Sequence, residues 1–271
     1  MVNVIFSLNL LKKIYRTGKH KAFILFFNLL TKSLLIERGL GIRRLGSFYG
    51  GWYICHSKLY QKSRILSLGA GEDISFDAEI ANEYGCIVDI FDPTPKAVQH
   101  FKKVKQRFGK NALTNYSKTG TQEVCAYNLK NVNKNQITFT EKAVWIQSGS
   151  VQFFVPLNEE NVSHTITAYN SRGNHTRKSI QVASIDILNI KIEKYDVLKL
   201  DIEGAEIPVL KRLIRNKEPE KLPQQILVEF DELQIPEIAN FRDVYLFHKE
   251  LKNLGYQLVK KEKFNFTYVK V

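Results

Sequence analysis

The sequence predicts an α/β fold: a mostly parallel sheet with helices on both faces. Three observations carry this. From Arg64 onward, apolar runs of strand length alternate with longer amphipathic runs, as crossover-connected parallel strands require. The first apolar run ends directly in a glycine-bracketed loop, Gly69-Ala70-Gly71. The second ends in an acid, Asp92, 21 residues beyond Gly71. Ligands of open α/β sheets bind outside such strand ends.

At 271 residues, 44% hydrophobic and 25% charged, the chain has an ordinary globular composition with ample apolar side chains for a core. Its three cysteines, Cys55, Cys86 and Cys125, form no CxxC pair and argue against a disulfide framework. The net charge of +13 is uneven. Residues 1–64 carry 12 Lys/Arg against the single acid Glu37, while the other 207 residues carry 28 basic and 26 acidic side chains. The body is thus nearly neutral, which disfavours a nucleic-acid-binding role for the whole chain.

The basic part reads as an extension over residues 1–50, ahead of a catalytic domain over 51–271. Its apolar blocks alternate with Lys and Arg, giving two amphipathic helices. The longest block, Ala22 to Ile36, is broken by Asn28 and Lys32 and falls short of the roughly 20 residues that span a bilayer. No clean apolar run precedes a small-residue cleavage site, so a signal peptide is not expected. These helices either pack on the domain or lie against an anionic membrane surface through residues 1–40. Gly39, Gly41, Gly46, Gly50 and Gly51 then mark an irregular connection.

"RILSLGAG" reads as a buried strand, and "DISFDAEIANEYG" as a helix closed by Gly85. "CIVDIFD" is the second strand; "PKAVQHFKKVKQRFG" is a helix with Pro95 in its first turn. "TQEVCAYNLKNV" is read as a further helix. "QITFTEKAVWI" and "SVQFFVPL" read as a hairpin around "QSG". A short strand in "QVASI" and a helix in "IDILNI" follow, then the strand "YDVLKLD" and the helix "GAEIPVLKRLIRN". The strand "QQILVEFD" precedes a helix around "FRDVYLFHKELKNLG". The chain closes on "YQLVKKEK" and "FNFTYVKV", near enough to form an antiparallel pair.

Glycines at 69 and 71 let backbone approach a ligand, and the following helix start offers free N–H groups. A dinucleotide fingerprint would place a third glycine at position 74, where the chain has Ile74. Asp92 stands where an acid can accept both ribose hydroxyls of a nucleoside-type cofactor; alternatively it only caps the next helix. "VLKLDIEGAEIPVL" crowds Asp201, Glu203 and Glu206 where a strand gives way to a helix. Acids there complement the helix dipole, or they belong to an active site.

With "SLGAGEDISFD", "IFDPTPKAV", "VSHTI" and "LKLDIEGAE" in order, the chain from about Gly50 to its C-terminus resembles the FkbM-type methyltransferase family. The resemblance implies a class I, Rossmann-like methyltransferase fold, a seven-stranded sheet whose last strand runs antiparallel. It implies S-adenosyl-L-methionine as cofactor and O-methylation of sugars, polyketides or other small hydroxylated metabolites. Gly69, Ala70 and Gly71 then match the loop under the methionine part of the cofactor, and Asp92 the acid that holds its ribose. Glu72 and Asp73 are candidates for its ammonium group, while Asp201, Glu203 and Glu206 match the family signature. The chain departs from many methyltransferases at Ser67, which stands two residues before the first glycine in place of an acid.

Methyl transfer to a hydroxyl needs positioning and a proton acceptor. Asp201, at a central strand end, is the first choice for base or substrate-positioning carboxylate; Glu229 and His164 follow. Each has a structural alternative: helix-start acids for Glu203 and Glu206, a strand-end hydrogen bond for Glu229, a solvated loop residue for His164. No compact ligand motif points to a metal. The polar segment from Asn158 to Thr176 is long enough to be a binding loop. The reading is a cytoplasmic methyltransferase acting on a glycan or related small acceptor. Its rivals are an NAD-dependent or nucleotide-sugar oxidoreductase and a non-catalytic scaffold of the same fold.

Overall fold

A computed structural model of the chain describes residues 40–154, 179–234 and 238–271. The two basic helices expected before Leu40, His164 and the polar segment around it lie outside the described residues. Among the described residues, no helix is long and apolar enough to cross a membrane.

A hairpin comes first: β1 (Ile42–Leu45) pairs antiparallel with β2 (Trp52–Cys55), so the expected boundary at residue 50 falls within its connecting loop. The main body then alternates β3 (Arg64–Leu68), α1 (Ser75–Tyr84), β4 (Ile87–Phe91), α2 (Pro95–Lys105) and β5 (Ile137–Thr140). A small sheet follows, made of β6 (Ala143–Trp145), β7 (Gly149–Phe154) and β8 (Ser179–Asp186). The chain returns to the main sheet with β9 (Val197–Leu200), α3 (Glu206–Asn216), β10 (Gln225–Glu229), α4 (Ile238–Asn253), β11 (Tyr256–Glu262) and β12 (Asn265–Lys270).

The seven-stranded sheet runs β11-β12-β10-β9-β3-β4-β5. β10, β9, β3, β4 and β5 are parallel, and β12 pairs antiparallel with both β10 and β11. This is the class I methyltransferase arrangement, with the antiparallel final strand that the terminal pair predicted. Its centre is buried on both faces, and side chains two apart share a face. Leu66, Leu68, Leu198, Leu200, Ile226 and Val228 pack in one core with α3 and α4 residues such as Leu210 and Phe247. Ile65, Val197 and Leu227 face the opposite core with Trp52, Phe76 and Phe101. By the same alternation Ser67 and Lys199, register partners across β3 and β9, share the face of Ile65 and Val197.

Helix ends follow their residues. α1 stops at Gly85 in the left-handed region, whose N–H bonds the carbonyl of Ala81. α2 starts with Pro95 in its first turn.

Four local expectations are corrected. "TQEVCAYNLKNV" holds only a 3-10 turn at Val124–Ala126, because its backbone bonds outward: Leu113 N–H to the Cys125 carbonyl, Leu129 N–H to Lys110, Gly109 N–H to Leu129. The hairpin around "QSG" does not form. β6 and β7 both pair with β8, which lies between them, parallel to β6 and antiparallel to β7. The helix in "IDILNI" is a 3-10 turn at Ile187–Asn189, capped by Asp186, whose carboxylate accepts from Leu188 N–H. The glycine-rich connection after residue 39 contains the β1–β2 ladder.

Candidate active site

The glycine loop leaves β3 at Gly69, φ +83°, with Gly71 also left-handed at +53°. Asp92, 5% exposed, anchors it. One oxygen accepts from Ala70 N–H (2.9 Å) and Gly71 N–H (3.0 Å), the other from Thr94 N–H (2.8 Å) and Oγ1 (2.6 Å). Four donors fill the four acceptor positions of a carboxylate. The acid expected at a ribose is therefore already the clasp of the loop, and it also holds Thr94, the residue before α2.

Asp73 is committed in the same way. It accepts from Ser47 Oγ (2.6 Å), Gln122 Nε2 (3.0 Å), Gly50 N–H (3.2 Å) and Ser75 N–H (3.0 Å), tying the β1–β2 loop to the start of α1. Among the described residues the Glu72 carboxylate makes only a 3.5 Å contact with Thr121 Oγ1, while its carbonyl accepts from Gln122 N–H (3.0 Å).

At the other strand ends, carboxylates gather. Glu203 and Gly204 both take left-handed backbone, at +56° and +92°, turning the chain sharply out of β9. Glu206, fully buried, accepts from Ile202 N–H (2.7 Å) and Gly204 N–H (2.9 Å) and so braces that turn from inside. It stands in the first turn of α3, where burial raises its pKa well above the usual carboxylate range. Asp201 and Glu229 follow the last register pair of β9 and β10, Leu200 with Val228, and stand side by side. Among the described residues neither carboxylate has a hydrogen-bond partner. Burial raises the Asp201 pKa, against the opposing field of Lys199. Burial, then the charges of Asp201 and Glu203, pushes Glu229 up to about 8. Asp231 is raised well above the usual carboxylate range, chiefly by burial.

Both groups open on one cavity of about 420 Å³, within the range of small-ligand sites. Gly69–Asp73 and Asp92 line one part, and Asp201, Glu203, Glu229 and Asp231 another. Phe91, Pro93, Val144 and Phe153 give it an apolar wall, and exposed Phe48 and Tyr49 also line it. All the described site residues predicted from sequence except Glu206 therefore line a single cavity. Among the described residues, no three His, Cys, Asp or Glu side chains are grouped to hold a metal ion.

Sequence reasoning missed Lys199. Its Nζ donates to the Gly69 carbonyl (2.7 Å) and lies 5.4 Å from the Trp52 ring centroid. A lone lysine inside an otherwise apolar strand run was the available signal.

A family model described as "Methyltransferase FkbM domain" matches residues 67–258. No match was found among curated proteins. Among solved structures, the chain is similar to a methyltransferase FkbM from Methylobacillus flagellatus at 16% identity and a TM-score of 0.42, covering 78% of this chain and 44% of that one. It is similar to a fibrillarin pre-rRNA processing protein from Methanococcus jannaschii at 15% identity and a TM-score of 0.37, covering 78% and 67%. It is also similar to an O-methyltransferase family 2 protein from Planctomyces limnophilus, in complex with apigenin, at 11% identity and a TM-score of 0.36, covering 77% and 51%. The chain thus spans about half the length of the methyltransferase FkbM and the O-methyltransferase family 2 protein.

Proposed function

Since the chain belongs to the FkbM methyltransferase domain family, we propose that it transfers a methyl group from S-adenosylmethionine to a hydroxyl of a carbohydrate or related small metabolite. One observation carries this reading. Two adjacent carboxylates without partners among the described residues, Asp201 and Glu229, face the same cavity as a clasped glycine loop.

The residues present fit the cofactor. Two left-handed glycines keep side chains off the loop where it lines the cavity, the Glu72 carboxylate is nearly unengaged among the described residues, and the cavity has an apolar wall for a base. Asp92 can serve a ribose only by giving up a donor it now holds, and the Thr94 hydroxyl is the one that can rotate away. When bound, S-adenosylmethionine supplies an electrophilic methyl group on a sulfonium.

The chain's own work is then positioning and proton transfer. Asp201 accepts the acceptor's hydroxyl proton as its oxygen gains the methyl group. Glu229, pushed up to about 8, holds its proton at neutral pH and spares Asp201 a neighbouring negative charge. The oxidoreductase reading is disfavoured by β12, an antiparallel strand inserted where a dinucleotide-binding sheet continues in parallel.

The direct test is calorimetry with S-adenosylhomocysteine. Absence of binding to well-folded protein would overturn the methyltransferase reading and favour a scaffold. A search for +CH₂ products over a panel of glycans then addresses the acceptor. We also propose that residues 1–40 bring the enzyme to an anionic membrane face in the cytoplasm. Equal sedimentation with anionic vesicles before and after their deletion would remove that part.

A further inference from the structure

Lys199 is 4% exposed, yet it lines the cavity. An ammonium has three N–H donors, and only one is spent, on the Gly69 carbonyl. Among the described residues it has no ion pair and no second hydrogen bond; its other neighbour is the face of Trp52. Withdrawing an ammonium from water without a counter-charge costs several kcal/mol. A buried lysine with unspent donors beside a cavity is therefore poised for an anion.

Its surroundings do not supply one at contact distance. Its register partner is Ser67, a buried and uncharged hydroxyl that lies beside the buried Asp77. A carboxylate at that position would have faced Lys199 across the strand pair; a hydroxyl leaves the charge uncancelled. Asp77 and Asp201 feel the lysine's field, but neither is within ion-pair distance. The Gly69 carbonyl ties the ammonium to the glycine loop.

Resting on the methyltransferase reading, we propose that Lys199 receives the carboxylate of the cofactor's amino-acid portion. Glu72, on the same loop and nearly unengaged, complements it as the acceptor for the ammonium. A zwitterion would then be met by one charge of each sign, and the loop carbonyl held by Lys199 fixes their separation.

The test compares two probes that differ only in this portion. S-adenosylhomocysteine carries the amino acid, and 5′-methylthioadenosine keeps the nucleoside and thioether without it. Calorimetry is run on the full chain as wild type, Lys199→Met and Lys199→Arg. Wild type should bind S-adenosylhomocysteine the more tightly. Lys199→Met should lose about 10- to 100-fold in that affinity, the worth of one charged hydrogen bond, with methylthioadenosine affinity nearly unchanged. Lys199→Arg should keep part of the preference. An equal loss for both probes in Lys199→Met would make Lys199 a brace for the loop and overturn the proposal, as would no loss for either. In both cases the methyltransferase reading stands, because wild type still binds. Wild type binding neither probe while folded would overturn that reading and this inference together.

Discussion

A Cβ built on Gly69 would stand 1.7 Å from the carbonyl oxygen of Asp201. The turn that begins the glycine loop and the strand end that carries the candidate base are thus in backbone contact. The main-chain bond from Asp201 N–H to the Leu68 carbonyl, 2.9 Å, locks the same junction. No side chain fits between them, and φ at Gly69 is left-handed besides.

Gly69→Ala is therefore expected to fail on two counts, overlap with backbone and strain at positive φ. We expect a loss of at least ~2 kcal/mol, a fall in Tm of roughly 4–8 °C. Cofactor-analogue binding should weaken with it. Thermal unfolding together with S-adenosylhomocysteine calorimetry checks this; a variant as stable as wild type would show that the two segments separate more easily than their contact implies.

Asp92→Asn distinguishes a clasp from a pure ligand contact. An amide in its place turns an NH₂ group toward either the Ala70 and Gly71 N–H groups or the Thr94 donors. Leaving buried donors unmet costs ~1–3 kcal/mol, so the ligand-free protein should be destabilised. A residue serving only the ribose would weaken binding and leave the unfolding midpoint of the free protein in place.

Much of this architecture was legible in the sequence because it is written in local period. Strand runs such as "RILSL" and "QILVE" carry apolar residues on both faces, and helices such as α1 end on a glycine. The spacing from Gly71 to Asp92 was legible for the same reason, since one βαβ unit fixes it. Partner choice was not legible. β6 and β7 abandon each other for β8, a pairing that no local pattern encodes, and Tyr127 and Leu129 are buried in an irregular segment held by residues 109–113. Lys199 escaped notice because a strand buried on both faces is read by its apolar letters. Its single charge was the informative one. Asp92 stands at the end of β4 beside the glycine loop, but its four bonds come from a loop and a helix start that meet only in the fold.

His100 is expected to stay neutral on the acid side of its usual range. Ile74 N–H donates to the Tyr127 hydroxyl (3.3 Å), and that hydroxyl lies 2.7 Å from His100 Nε2. With no other acceptor for the Tyr127 hydroxyl among the described residues, its proton is expected on the Nε2 side, with Nε2 as the unprotonated acceptor. Burial lowers the His100 pKa, with the charges of Glu72 and Asp73 opposing. A depressed histidine in the folded state costs stability as the unfolded chain takes up its proton. Stability should be intact above about pH 6.5 and decline as pH falls below it. Imidazole NMR should find the proton on Nδ1 and a midpoint below ~6.5. His100→Gln should flatten that part of the stability curve; a midpoint at or above the ordinary value would sink the assignment.

Glu229 acts at the opposite end of the scale. Its folded pKa is pushed up to about 8 by burial and then by the charges of Asp201 and Glu203, so the folded protein keeps a proton that the unfolded chain releases near pH 4.3. Between these values the native state binds more protons than the unfolded state, and stability must fall as pH rises. One such proton is worth up to ~1.4 kcal/mol per pH unit. Glu229→Gln cannot ionise, so its unfolding free energy should rise relative to wild type from about pH 5 to about pH 8, as measured by urea titration at several pH values. Because the amide is uncharged, like the protonated Glu229 it replaces, the variant should still bind S-adenosylhomocysteine. Parallel curves for the two proteins would mean that Glu229 ionises freely in the fold, and the pairing with Asp201 would lose its chemical basis.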